Sequence, residues 1–241
     1  MDSNVTAISL KNVDFSYPNR PFKVLDDFSL DVMQHEVIAV IGKSGCGKST
    51  LIRLIAKLLL PTAGQIDLKN TSRVAVDFQD PRLLPWKNVA DNIALAIRRE
   101  AEPIQTEKIR TVLDMVGLKH AANYYPKELS GGMAQRAALA RALVQEPDIL
   151  LMDEPFGALD AITRAQIQMD FEKIQQHKKM TVIFITHEVN EAVRLADRVI
   201  VLAAGKVSKI INIDLPHPRS IADLSVAKYS SQVLTLLTQS W

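Results

Sequence analysis

Apolar residues gather in short uninterrupted runs at 37–41, 149–152, 182–185 and 199–202, each bounded by polar or turn residues. Continuous runs of this length predict strands buried on both faces of a parallel sheet. The N-terminal pattern differs. Ile8, Leu10, Val13, Phe15 and Tyr17 alternate with polar neighbours, with a break near Asn12, and residues 24–32 alternate loosely. These read as two strands with one wet face, separated by a turn at Pro18-Asn19-Arg20-Pro21. Gln34-His35-Glu36 turns the chain into the first apolar run. Leu51, Ile52, Leu54, Ile55, Leu58 and Leu59 then fall at helical spacing. Pro61-Thr62-Ala63-Gly64 breaks the chain, and short strands are expected at 65–68 and 74–78. From 89 to 143 the pattern is mostly helical, broken at Pro103, at Gly117 and around Tyr124-Tyr125-Pro126. Thr106 is an expected N-cap for a helix that puts Ile109, Val112, Leu113 and Val116 on one face. Residues 224–237 read as a C-terminal amphipathic helix.

Strand–helix alternation on both sides of a helical insert predicts one α/β domain over 1–241 with a mostly parallel core sheet. The N-terminal strands would form a small antiparallel β subdomain. The helical subdomain is expected at about 87–143, and a C-terminal strand and helix at about 205–241.

The run at 37–41 feeds directly into Gly42-Lys43-Ser44-Gly45-Cys46-Gly47-Lys48-Ser49-Thr50, which fits the phosphate-binding P-loop pattern. Strand before and helix after are the context this motif requires. Glycines let backbone N–H groups close around phosphate oxygens, and the new helix points its positive end at them. Lys48 adds a point charge for the β- and γ-phosphates, and the Ser49 hydroxyl can ligate Mg²⁺.

Bulk properties narrow the classes. The 241 residues are 47% hydrophobic and 23% charged, ordinary for a globular protein with ample core. A net charge of +2 gives no ground for nucleic-acid binding. Cys46, the only cysteine, excludes an internal disulfide or a four-thiolate zinc site. The first ten residues lack a basic stretch followed by an apolar core, so no signal peptide is expected. No apolar run approaches the ~20 residues that span a bilayer, so any spanning part is expected in another chain. Glycine is scarce, with 9 in all, and it gathers at the motifs.

The run at 149–152 ends in Asp153-Glu154-Pro155. A carboxylate at the carboxyl end of a buried parallel strand faces the ligand crevice. Asp153 can hold Mg²⁺ through water, and Glu154 can polarise the water that attacks the γ-phosphate. A long insertion separates Lys48 from Asp153, and it ends in Leu129-Ser130-Gly131-Gly132-Met133-Ala134-Gln135. Here Ser130 is a good N-cap, and two glycines leave N–H groups bare at a helix start. This is a second anion site, which a partner subunit's nucleotide could occupy.

Residues 129–135 resemble the signature loop of ATP-binding cassette (ABC) ATPases, whose commonest form is Leu-Ser-Gly-Gly-Gln. Met133 stands in place of the glutamine, a departure the family tolerates. The family's other motifs follow in order along nearly the whole chain. Tyr17 matches the aromatic that stacks on adenine, with a packing residue on a strand face as the other reading. Gln79 matches the glutamine that senses the γ-phosphate and Mg²⁺. Gly157-Ala158-Leu159-Asp160 matches the D-loop, which crosses the dimer interface. Thr186-His187 matches the switch histidine at the γ-phosphate. His35, His120, His177 and His217 lack such support and are read as surface residues. Where relatives often carry glycine, this chain has His35, Lys57 and Asn70. Histidine and asparagine tolerate left-handed turns, and Lys57 is expected inside a helix.

The resemblance implies ATP and Mg²⁺ as cofactors and a head-to-tail homodimer of ATPase subunits, with each nucleotide between Lys48 of one copy and Ser130 of the other. It also implies an integral membrane permease dimer, a periplasmic or lipid-anchored substrate-binding protein, and a peripheral place on the cytoplasmic face of the bacterial inner membrane. Residues 78–89, the segment at 213–219 and Ala158 to Arg164 are similar to the nitrate/sulfonate/taurine importer branch. Within it the likeness is greatest to ATPases of aliphatic sulfonate import, with taurine, nitrate or another small substrate as alternatives. A soluble ABC protein of translation or DNA repair would carry tandem cassettes, a long coiled coil or zinc cysteines. A P-loop kinase would lack residues 129–132, and a regulator without turnover would be expected to lose Glu154 or His187.

Overall fold

Alternation and bulge shape the first sheet. The computed structural model describes residues 5–18, 21–69, 72–157 and 159–239. The expected turn at Asn19-Arg20, together with Asn70 and Ala158, therefore falls outside the described residues. Strand β1 (Thr6–Phe15) pairs antiparallel with β2 (Leu25–Met33) and with β4 (Ala63–Leu68), in the order β2-β1-β4. Ile8, Leu10 and Val13 face Val32, Leu30 and Phe28, all buried. The break in alternation at Asn12 is a bulge. The register shifts there, and Asn12 takes a left-handed φ of 48°. Its amide donates to Asp27 Oδ1 at 2.7 Å, which holds the irregularity in place.

The apolar runs become the parallel strands. Strand β3 (Val37–Ile41) lies between β7 (Thr181–Ile185) and β8 (Arg198–Ala203), parallel to both, and every residue of β3 and β7 is buried. The order β6-β7-β3-β8-β9 adds β6 (Ile149–Asp153), also wholly buried, and β9 (Lys206–Asn212), which pairs antiparallel with β8. Continuous burial explains why these runs are apolar at every position rather than alternating.

Helix α1 (Lys48–Ile55) follows the P-loop and buries Leu51, Ile52, Leu54 and Ile55. It stops sooner than the apolar spacing predicts, leaving Leu58 58% exposed. Lys57 is not helical. It takes φ 57° in the turn after the helix, a left-handed position that favours glycine. Its lysine therefore costs the fold something, contrary to the sequence expectation. His35, at φ 66°, does sit in a left-handed turn.

By internal contacts the chain divides into two units, one of residues 1–72, 151–153 and 180–241, the other of 73–150 and 154–179. The first holds the three-stranded sheet, strands β3, β7, β8 and β9 and the last three residues of β6, with α1, α6 (Val189–Leu195) and α7 (Leu224–Gln239). Buried Arg219 ties its C-terminal segment down by donating to the carbonyls of Val193, Ala196, Ile213 and Leu215.

The second unit holds β5 (Val74–Asp77), α2 (Val89–Ala94), α3 (Glu102–Met115), α4 (Gly131–Leu143) and α5 (Ala161–Lys178). Two expectations for α3 fail. Ala101, not Thr106, is its N-cap, and Thr106 lies inside the helix with its hydroxyl donating to Glu102 O. Pro103 occupies the first turn, where a missing N–H costs nothing, so it opens the helix instead of breaking it. Asn92 on α2 is fully buried. Its amide donates to the carbonyls of Leu84, Lys87 and Asn88 while its oxygen accepts from Leu84 N, so one side chain fastens the loop at 84–88. Trp86 on that loop is 70% exposed, which excludes a core role.

Candidate functional site

The P-loop is shaped by its glycines. Gly45 and Gly47 take φ of 81° and 109°, and Gly47 serves as N-cap of α1 with no side chain capping the helix start. The first-turn N–H groups are thus left for a ligand. A Cβ at Gly42 would lie 2.3 Å from Leu202 O, so packing on β8 also demands glycine there. Lys48 is buried and its ammonium donates to Gly42 O at 2.7 Å and Lys43 O at 2.8 Å, which folds its charge over the loop. Lys43, Ser44 and Cys46 complete the turn, with Cys46 N bonded to Lys43 O.

The same unit brings further predicted residues to this loop. Ser49 Oγ donates to Asp153 Oδ1 at 3.1 Å. A hydroxyl and a carboxylate are hard oxygen donors that fit Mg²⁺, an ion that keeps several waters and takes few protein ligands. Tyr17 lies just past the end of β1 and is half-buried. Its hydroxyl is 3.2 Å from Thr50 Oγ1 and accepts from Arg53, and its ring meets Phe15 edge-on. The ring is thus anchored to α1 while staying partly open, more suited to a stacking platform than to a core. Arg53 carried no signal in the sequence. His187 is exposed, two residues past the end of β7. The other four histidines are also exposed, although His217 lies 3.6 Å from Asp197.

The second unit carries the rest. Gln79 Nε2 donates to Glu154 Oε2 at 3.0 Å, so these two candidate site residues touch. Glu154 takes φ 50°, a left-handed conformation unusual for glutamate, which re-aims its carboxylate after the strand ends. Ahead of Gln79, Asp77 is buried, and neither carboxylate oxygen has a hydrogen-bond partner. Burial pushes its pKa up to about 7, against the opposing pull of Arg141. Arg141, on α4, spends its hydrogen bonds on Pro81 O and Arg82 O.

Ser130 caps α4 by accepting from Met133 N at 3.3 Å. The two glycines after it have different causes. A Cβ at Gly132 would lie 2.8 Å from Thr163 Cγ2, so helix packing requires that glycine. One at Gly131 would meet nothing within 4 Å, and Gly131 is exposed. Asp160 caps α5 by accepting from Ile162 N and Thr163 N. The Thr163 side chain first, and then these backbone bonds, hold its carboxyl below the usual range.

Cys46 borders a cavity of about 310 Å³ lined by the P-loop, by Leu202 and by Leu237 of α7. Burial pushes its thiol pKa up despite the nearby Lys48 charge. Alkylation by iodoacetamide is therefore expected to be slow near neutral pH and to speed up as pH rises, because the thiolate reacts. ATP should protect the thiol, and alkylated protein should lose ATP binding. Mass spectrometry with a nucleotide-binding assay checks this; fully alkylated protein that binds ATP normally would refute it.

A profile of the ABC transporter family matches residues 25–157. The chain is 45% identical to an aliphatic sulfonates import ATP-binding protein of Agrobacterium fabrum, over 96% of this chain and 83% of that one. It is 42% identical to a protein of the same description from Yersinia pestis, over 95% and 84%. An uncharacterized ABC transporter ATP-binding protein of Methanocaldococcus jannaschii is 42% identical over 92% and 87%. Among solved structures, a dimeric ATP-binding cassette in a post-hydrolysis state, bound to ADP and Pi, matches with TM-score 0.79 at 29% identity, covering 87% of this chain and 100% of that one.

Proposed function

The chain belongs to the ABC transporter family as an ATP-binding, ATP-hydrolysing subunit, and on that premise we propose that it drives bacterial import of aliphatic sulfonates. The identity to the Agrobacterium fabrum protein across nearly the whole chain carries the cargo assignment. An ATPase subunit need not touch cargo, so this step rests on likeness rather than on a site.

The proposed cycle uses the residues just placed. Tyr17 stacks on adenine, and the P-loop from Gly42 to Thr50 wraps the phosphates. Ser49, Gln79 and, through water, Asp153 would hold Mg²⁺, which when bound screens the phosphate charge. Glu154 polarises the attacking water and His187 contacts the γ-phosphate. Ser130, Gly131, Gly132 and Met133 meet the nucleotide of a second copy, and Asp160 approaches across the interface. The open space at Gly131 supports this part, because its own chain supplies no steric reason for a glycine there. ATP would close the dimer and hydrolysis reopen it, since only ATP offers a γ-phosphate to the opposite loop.

Among the described residues no helix is long and apolar enough to cross a membrane. By likeness to import ATP-binding subunits, the transporter complex would place this subunit on the cytoplasmic face of the inner membrane, beneath a permease dimer served by a substrate-binding protein. We assign Trp86 as a permease anchor, because an exposed tryptophan on a fastened loop suits a binding hot spot. Trp86→Ala should lower coupled transport and permease co-purification while leaving ATP affinity unchanged; intact coupling would remove the assignment.

Deleting the gene tests the cargo. Growth on alkanesulfonates as sole sulfur source should fail while growth on sulfate continues. Normal growth on alkanesulfonates with failure on taurine as sulfur source, or on nitrate as nitrogen source, would reassign it.

A further inference from the structure

His187 stands between two residues that are both tied down by one side chain. Thr186 is buried, and its backbone N donates to Val40 O at 3.2 Å, which pins the end of β7 to β3 just before the P-loop. Its hydroxyl accepts from Glu188 N at 3.0 Å and donates to Glu191 Oε2 at 2.5 Å. Glu191 is itself buried, in the first turn of α6. The Thr186 hydroxyl therefore bridges over His187, with one bond to the backbone of Glu188 and a second to a carboxyl group anchored in a helix.

We propose that Thr186 and Glu191 are positioning residues that fix the backbone carrying His187, so that its imidazole reaches a γ-phosphate without a search. The proposal rests on the assignment of His187 to the γ-phosphate. A buried hydroxyl–carboxylate bond suits this task because neither partner can rotate to water without leaving the other unsatisfied. Small displacements of a reacting group cost rate more than affinity. The loss should thus fall on kcat and spare nucleotide binding.

The test is a mutant cycle on the full-length protein, using ATP turnover, KM for ATP and equilibrium ATP binding. Thr186→Val keeps the shape and removes the hydroxyl. It should lower kcat by about tenfold or more with KM changed by less than about twofold. Thr186→Ser restores the hydroxyl and should restore most of the rate. Glu191→Ala should behave like Thr186→Val, while Glu191→Gln, which keeps an accepting oxygen, should stay near the parent. Single-turnover rates complete the cycle: adding Thr186→Val to His187→Ala should cost no further rate. Thr186→Val at parental kcat beside an inactive His187→Ala would overturn the positioning role alone, as would multiplicative losses in the double mutant. Parental turnover by His187→Ala would remove the His187 assignment, and the positioning role with it. Thermal midpoints of all variants separate these outcomes from unfolding.

Discussion

Glu154→Gln should reduce steady-state ATP turnover by about 10²–10⁴-fold, the range removed with a general base. It should leave ATP binding intact and trap a dimer in the presence of ATP. The substitution is close to isosteric. A glutamine can still meet Gln79, which now donates to the Glu154 carboxylate at 3.0 Å, so geometry survives and basicity does not. The backbone supplies a second arm. Glu154 holds φ 50°, a conformation glycine adopts at no steric cost. Glu154→Gly should therefore fold at least as well as the parent and yet be inactive, which separates loss of the carboxylate from loss of structure. Phosphate release and size-exclusion chromatography with and without ATP are the measurements. Turnover within about tenfold of the parent in both variants would show that Glu154 is not the base.

Asp77→Val should stabilise the protein at pH 8 and have progressively less effect as pH falls to 5. Asp77 is buried, its oxygens lack hydrogen bonds, and burial raises its pKa from 3.8 to about 7. An acid whose folded pKa exceeds its unfolded one binds more protons when folded. Its penalty is absent below the unfolded pKa, grows as pH rises toward 7 and is complete above that. The full shift corresponds to a penalty on the order of 4 kcal/mol, an upper bound because solvent and backbone relax around the charge. Valine suits a strand position that packs inward beside Ala75. Arg141 retains its bonds to Pro81 O and Arg82 O without the carboxylate. A gain of about 2–4 kcal/mol would raise the thermal midpoint of a chain this long by several degrees. Melting curves from pH 5 to pH 8 decide the matter. A variant less stable than the parent at pH 8, or a gain independent of pH, would contradict this account of Asp77.

The parallel strands were legible because burial on both faces leaves one kind of residue at every position, as in 37–41 and 182–185. Helix α5 was not. Ile167, Phe171 and Ile174 mark its inner face, but Gln168 and Glu172 are buried there too and blur the stripe. Lys57 and Thr106 misled for a shared reason: residue type gives a preference, and the position of a helix end decides whether it applies. The P-loop could be read because left-handed turns at Gly45 and Gly47 and the close approach of Leu202 O to Gly42 force particular residues at fixed spacing. The left-handed turn at Glu154 left no trace, since glutamate is not a residue type that announces a positive φ. Contacts such as Asn92 to the 84–88 loop, or Thr186 to Glu191, pair common residue types across a turn, and nothing in the residue names announces them.

Asn92 has a kinetic consequence. Because that one amide fastens the loop under Trp86, the entropy of ordering the loop is spent when α2 folds, before any encounter. A surface that receives Trp86 meets a finished shape. Association should then be limited by orientation and diffusion rather than by loop rearrangement, and differences in affinity among Trp86 variants should appear in how fast the complex separates.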